Sequence, residues 1–314
     1  MTRHPPQRAA RRALAAIALL ASTGAQAIVG GSGVDPNTLD SPWAGVGSLS
    51  IGGGTYSGAL VSDRYVLTAA HVVSGRAPGS IVFNLNVDGS VMQSFAAEAV
   101  FVYSGYAGTA PGADGVWHDD LALVRLAAPV QGSIPYYALS NAPLNLGDTI
   151  TMVGYGTSGN GTNGVTTPAS PNVKRGGQNV VDRLLPDDDV ANGANEVFMF
   201  DFDGPTRTNN VWGGTTLGAG IEAGFAGGDS GAPVFVQRGG AWQLAGIAAF
   251  NGSSSSGGSD VEFGAIGGGT VIASYQDWIR GQISAVPEAD NLVLLLAGLT
   301  CTGFAASRQR RVKL

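Results

Sequence analysis

Cysteine is all but missing from this chain. Its 314 residues hold one, Cys301, inside an apolar run near the C-terminus, so residues 28–285 can form no disulfide among themselves. Histidine comes to three. His4 lies in the N-terminal leader, which leaves His71 and His118 for any imidazole chemistry downstream. Charged residues make up 13% of the chain, and positive ones are the scarcer. Between residues 28 and 285, 9 Lys and Arg stand against 21 Asp and Glu, a net of −12. So acidic a segment argues against nucleic-acid binding, and neither a P-loop nor a dinucleotide fingerprint appears. Long apolar runs are also lacking: residues 13–21 and 292–306 both fall short of a membrane-spanning helix.

Glycine, by contrast, is abundant at 49 residues. Short apolar or alternating runs are punctuated by turn signals such as Asn160-Gly161, Asn163-Gly164 and Asn251-Gly252. This pattern predicts an all-β protein. The exception before the tail is a helix over 274–284 that contains Tyr275, Trp278 and Ile279. Residues 28–285 are enough for two packed barrels and a sizeable core. Phe198-Met199-Phe200-Asp201-Phe202 reads as a buried strand rather than a cofactor box. The clusters Asp187-Asp188-Asp189 and Asp201-Phe202-Asp203 offer oxygens of the kind Ca²⁺ takes, but are read as solvated surface charge. No metal or organic cofactor is expected.

The two ends read as addresses. Arg3, Arg8, Arg11 and Arg12 precede an apolar stretch and Ala25-Gln26-Ala27, a small-x-small cleavage site, so residues 1–27 read as a secretory signal peptide. Residues 286–314 carry Val286-Pro287-Glu288-Ala289, the apolar run and then Arg308, Arg310, Arg311 and Lys313. The basic end would stay cytoplasmic while the preceding domain lies outside. This tail resembles the bacterial PEP-CTERM signals processed by exosortase-type enzymes, with alanine where the motif's second proline stands; a permanent tail anchor is the rival reading.

The richest chemistry lies in Gly227-Gly228-Asp229-Ser230-Gly231-Ala232-Pro233. A serine between glycines, preceded by a carboxylate, suits a nucleophile on a tight loop whose N–H groups face a developing oxyanion. A serine hydroxyl needs an adjacent base, and His71 closes the apolar run Val66-Leu67-Thr68-Ala69-Ala70. A carboxylate must then fix the imidazole tautomer, and Asp119 and Asp120 both precede the strand-like Leu121-Ala122-Leu123-Val124.

Taken together, Thr68-Ala69-Ala70-His71, Asp120-Leu121-Ala122-Leu123 and Gly228-Asp229-Ser230-Gly231 resemble the three motifs of the chymotrypsin/trypsin-type serine proteases, in that family's His, Asp, Ser order. The resemblance covers roughly residues 28–285. It implies two packed six-stranded antiparallel β-barrels, the first about 40–135 and the second about 145–272, with a short C-terminal helix. It selects Asp120 over Asp119 for the triad and leaves His118 as a loop histidine at the cleft edge. It further implies Gly228 and Ser230 as the oxyanion hole, and an ion pair between the α-ammonium of Ile28 and Asp229 once signal peptidase has cut after Ala27. Gly224, six residues before the serine, stands where trypsin-like members carry a carboxylate. With Phe225, Ala249, Phe250 and Asn251 it implies a neutral substrate pocket. Tyr56, Val72 and Ala226 occupy positions where the family often has cysteine, so packing, hydrogen bonds or a metal must hold those loops.

The expected function is an exported serine endopeptidase acting on protein or peptide substrates, touching the membrane through its tail alone. The alternative is a catalytically weak peptide- or matrix-binding surface protein on the same fold.

Overall fold

A computed structural model of the protein describes residues 26–285 apart from 32, 89–90, 109, 190–192, 206–208, 219 and 254–260. The expected leader through residue 25 and the tail from 286 lie outside the described residues. No helix among the described residues is long and apolar enough to cross a membrane.

Three two-residue strands open the chain: β1 (Gln26–Ala27), β2 (Val29–Gly30) and β3 (Gly33–Val34). Strands β4 (Val46–Ile51) and β5 (Gly54–Leu60) follow, joined by Gly52-Gly53. Both turn residues have positive φ, 58° and 84°. That geometry matches the right-handed twist of a hairpin and favours glycine at both positions. β6 (Tyr65–Thr68) leads into the one-turn helix α1 (Ala70–Val73). β7 (Ile81–Asp88), β8 (Val91–Val102) and β9 (Ala122–Leu126) complete a closed barrel in the order β4-β5-β6-β9-β8-β7. Leu49, Leu67, Phe83 and Leu123 are fully buried within its core cluster, filling the barrel with side chains as expected for so few strands.

The second half holds β10 (Thr149–Gly154), β11 (Ser158–Asn160), β12 (Gly164–Thr167), β13 (Arg175–Val180), β14 (Arg183–Pro186), β15 (Asn195–Asp201), β16 (Ala223–Gly224), β17 (Pro233–Arg238), β18 (Ala241–Ser253) and β19 (Ala265–Val271). Eight strands form one sheet, ordered β14-β15-β19-β18-β17-β10-β13-β3. Together with the separate β1-β11-β12 and β16-β2 sheets, this departs from a second closed six-stranded barrel. Between β13 and β15, side-chain bonds do the joining: Asn179 Nδ2 donates to Asp201 O at 2.9 Å and to Ala223 O at 2.8 Å. A 3₁₀ turn at Ile272–Tyr275 and the helix α2 (Gln276–Ser284) end the domain where a helix was expected. The protein is thus mostly β, with one closed six-stranded barrel, further sheets and a short C-terminal helix.

Aromatic contacts weld the halves together. Phe235 of β17 lies 4.9 Å from Trp43 and 4.6 Å from Tyr137, ring centre to ring centre. The Tyr155 hydroxyl donates to Val46 O at 3.2 Å. Of the three positions where the family often has cysteine, Val72 and Ala226 are buried in apolar clusters and Tyr56 packs against one.

A buried ion pair adds a further tie. Lys174 is wholly enclosed; its Nζ donates to Trp43 O at 2.7 Å and lies 3.4 Å from Asp35 Oδ1. Burial pushes the lysine's pKa down, and the Asp35 carboxylate opposes that shift. Asp35 also accepts from Ser41 Oγ and, at 2.8 Å, from Asn37 N–H. Removing one member of such a pair strands a buried charge. Lys174→Met is therefore expected to destabilise the fold by about 3–5 kcal/mol, read from the midpoint of urea unfolding.

Candidate active site

The strand β6 carries the chain to the interface between the halves and α1 turns it sharply. Ala69 is still extended (φ −76°, ψ 144°), and His71 is the second residue of the helix. The sequence places His71 where a strand enters a loop; the structure seats it on that single helical turn. Asp120 comes two residues before β9, which pairs with β6 through Thr68 and Ala122. The pairing brings His71 and Asp120 together across adjacent strand ends. His71 N–H donates to Asp120 Oδ1 at 2.8 Å, and Nδ1 stands 2.6 Å from Oδ2. An ionised carboxylate only accepts, so Nδ1 carries the proton and Nε2 of the neutral ring is left as an acceptor. Nε2 lies 2.8 Å from Ser230 Oγ. Asp120 is buried, and its own carbonyl accepts from Thr270 Oγ1 at 3.3 Å.

Asp119 turns away, at φ 55°, and accepts from the Tyr275 hydroxyl at 2.8 Å. The same hydroxyl lies 2.9 Å from Glu196 Oε2. Burial pushes the Asp119 carboxyl up, although the bond from Tyr275 opposes the shift.

Ser230 follows a loop organised by Asp229, whose side chain is fully buried. Its Oδ1 accepts from Gly156 N–H and its Oδ2 from Ala226 N–H, both at 3.0 Å, and the backbone N–H of Ile28 also donates to it. Burial pushes this carboxyl up to about 7. The approach depends on glycine: a β-carbon at Gly156 would sit 2.6 Å from Asp229 atoms, and one at Gly154 would collide with Oδ1. Gly228 has φ 94° and its carbonyl accepts from Ser57 Oγ at 3.2 Å. Ile28 is buried with φ 55°, although Gln26 and Ala27 run on before it as a strand against β11.

Beside Ser230 is a cavity of about 20 Å³ lined by Phe225, Ala226, Asp229, Ala248, Ala249, Phe250 and Asn251. Asn251 Nδ2 donates to Phe225 O at 3.2 Å. Gly224 does not line it; it pairs with Val29 in a two-stranded ladder, with Phe202 covering its α-carbon. A second cavity of about 410 Å³ opens between Trp117, Trp212, Arg183 and Phe250. The Trp117 and Phe250 rings lie 5.6 Å apart. Sequence reasoning passed over Trp117 and Trp212, which lie in stretches without periodic pattern.

His118 is more enclosed than a cleft-edge loop residue. Nδ1 contacts Glu196 Oε1, and Nε2 lies 3.0 Å from Asp114 Oδ2. Burial works against the imidazolium, yet the bonds to Glu196 and Asp114 raise its pKa above the ordinary histidine value. Buried Glu196 is raised as well, chiefly by burial. Groups whose folded pKa is raised contribute stability below their unfolded pKa and lose it as pH rises through the folded value. His118→Gln is therefore expected to lower the melting temperature most near pH 5, with the deficit shrinking on the alkaline side of the ordinary histidine range. Melting curves from pH 5 to 9 measure it.

Ligand atoms of His118, Asp188 and Glu196 lie within 4.8 Å of one another, as do those of Asp119, Asp188 and Asp189. Both ring nitrogens of His118 already face carboxylates, so the imidazolium supplies the counter-charge there. The other acidic cluster is not surface charge as expected. Asp201 and Asp203 are buried. Asp201 Oδ2 accepts from Val211 N–H and Trp212 N–H, and Asp203 Oδ2 from Asn210 Nδ2 and Thr216 Oγ1, both at 2.8 Å. These carboxylates fold the 209–217 segment over the second half.

No curated protein matches the chain. The family model for trypsin matches residues 28–279, most of its length, and the chain belongs to the trypsin family.

Proposed function

We propose that the protein is an exported serine endopeptidase working through Ser230, His71 and Asp120. The observation that carries this reading is the continuous hydrogen-bonded line from Asp120 Oδ2 through the His71 ring to Ser230 Oγ, 2.6 and 2.8 Å. Ser230 Oγ attacks the scissile carbonyl as its proton passes to His71 Nε2, and buried Asp120 stabilises the imidazolium that results. The carbonyl oxygen becomes an oxyanion, which the N–H groups of Gly228 and Ser230 receive. Collapse of this intermediate expels the amine, which takes the proton from His71 and leaves an acyl-enzyme on Ser230. Water then enters by the same path and releases the acid.

Phe225, Ala249, Phe250 and Asn251 set the substrate pocket. Its 20 Å³ is about the space of one water-sized probe, and its one acidic lining residue, Asp229, has both oxygens taken by backbone N–H groups, so substrates present a small neutral side chain to Ser230. Signal peptidase removes residues 1–27, and the new α-ammonium of Ile28 then takes the place of the amide now bonded to Asp229. The tail delivers the enzyme to the outer face of the membrane, where an exosortase-type enzyme shortens it.

A fluorophosphonate probe added to the full chain tests the reading. Phosphonylation mapped by mass spectrometry to Ser230, together with faster hydrolysis of esters of alanine than of lysine or phenylalanine, is the expected result. A folded protein that takes no label supports the peptide-binding alternative.

A further inference from the structure

Arg175 begins β13 and is buried, at 5% exposure, with Nε and Nη1 lacking any hydrogen-bond partner. A guanidinium stays charged inside a protein, and an enclosed charge needs an opposite one. Its neighbour Lys174 is already paired with Asp35. The register of the sheet shows where Arg175 finds its counter-charge. Arg175 stands directly opposite Gly154 in the β10–β13 pair, and directly opposed residues project from the same face, with β-carbons about 5 Å apart. On that face a β-carbon at Gly154 would run into Asp229 Oδ1. The arginine stem therefore rises beside the fully buried Asp229. The donors to Asp229, on Gly156, Ala226 and Ile28, are uncharged backbone N–H groups, so the charge that faces the carboxylate is the guanidinium's, acting through space.

We propose that Arg175 is a positioning residue that keeps Asp229 ionised, and with it the Ala226–Ser230 loop ordered, before as well as after residues 1–27 are removed. The inference rests on the protease reading for its consequence, though its charge pairing stands apart from catalysis. Ionised Asp229 accepts from Gly156 and Ala226 on its two oxygens at once; a protonated one turns an O–H toward donors that cannot receive it. With Arg175 in the chain, loop order does not wait for the liberated amine. Cleavage after Ala27 adds a second positive charge to a site that already has one. The mutual attraction shows in the pKa values: Arg175 opposes the burial that raises the Asp229 carboxyl, and Asp229 opposes the burial that lowers the Arg175 guanidinium.

The test uses the full chain made by membrane-free translation, so that residues 1–27 are retained, beside the form cleaved after Ala27. The first readout is the titration of Asp229, taken as the pH dependence of the melting-temperature difference between each protein and its Asp229→Asn counterpart. Because burial holds the folded carboxyl above its unfolded value, stability relative to Asp229→Asn falls as pH rises through about 7. Arg175→Met is expected to move that midpoint up by about one unit or more, and Arg175→Lys to leave it within a few tenths. An unmoved midpoint in Arg175→Met overturns the proposal; should that variant not fold, Arg175→Gln is read in its place. The second readout is the rate of fluorophosphonate labelling. The leader-retaining protein should label at Ser230, and Arg175→Met should label at least tenfold more slowly at pH 7. Labelling confined to the cleaved form would overturn the proposal and leave the protease reading standing. If neither form labels, the protease reading fails, and the titration midpoint alone decides for or against Arg175.

Discussion

Ser230→Ala is expected to lower kcat roughly a million-fold, the cost of removing the nucleophile from a triad that acts as a unit. The substitution deletes one oxygen, 2.8 Å from His71 Nε2. Nothing else in the loop depends on that oxygen. Ser230 N–H, the Asp229 carboxylate with its backbone donors, and the bond from Ser57 N–H to Ser230 O at 3.0 Å all survive. Stability should therefore change by no more than about 0.5 kcal/mol, as at positions that are not core. Single-turnover hydrolysis of an activated ester and a urea curve, run together, separate lost chemistry from lost structure. A variant with near-parental turnover would show that another group is the nucleophile. Residual hydrolysis a thousandfold above background is compatible with the reading, because the Gly228 and Ser230 N–H groups still receive the oxyanion.

The three residues of the proposed triad were legible because they sit in short motifs whose order and local composition carry the information. His71, Asp120 and Ser230 are each fixed by a neighbouring strand or glycine turn, and the structure brings the three into contact. The all-β class and the terminal helix were readable for a similar reason, since glycine turns and apolar runs are local signals. The joining of β13 to β15 in the second half was less so. It depends on Asn179 reaching across to Asp201 O and Ala223 O, and nothing in a single asparagine announces a cross-sheet bond. The buried acids show the same limit. Asp201 stands between Phe200 and Phe202 at the end of β15 and reads as an outward-facing residue, yet the 209–217 segment folds back over it. Arg175 gave no signal either: one arginine before two glycines is unremarkable until the register sets it opposite Gly154. Counting back from the serine locates Gly224 but not its pairing with Val29, because a ladder between β16 and β2 is a long-range contact.

Adjacent carboxylates give the second large contrast. Asp120→Asn is expected to reduce kcat about ten-thousand-fold, and Asp119→Asn to change it by no more than a few-fold. Asp120 holds His71 at two points, the backbone N–H at 2.8 Å and Nδ1 at 2.6 Å. An asparagine there can keep its oxygen on the backbone N–H, but its amide nitrogen then points at Nδ1 and donates. The ring answers by moving its proton to Nε2, where it can no longer accept from Ser230. The hydrogen-bonded geometry is preserved and the tautomer is wrong, so the loss falls on kcat while KM changes little. Asp119 has a different task. Its Oδ1 accepts from the Tyr275 hydroxyl at 2.8 Å, and an asparagine oxygen does the same. Its φ of 55° lies in the left-handed region that asparagine tolerates. Steady-state kinetics on both variants with one ester substrate decide the assignment. If Asp119→Asn were the more damaging, the triad carboxylate would be the residue bonded to Tyr275, and the path from Asp120 through His71 to Ser230 would not be the catalytic one.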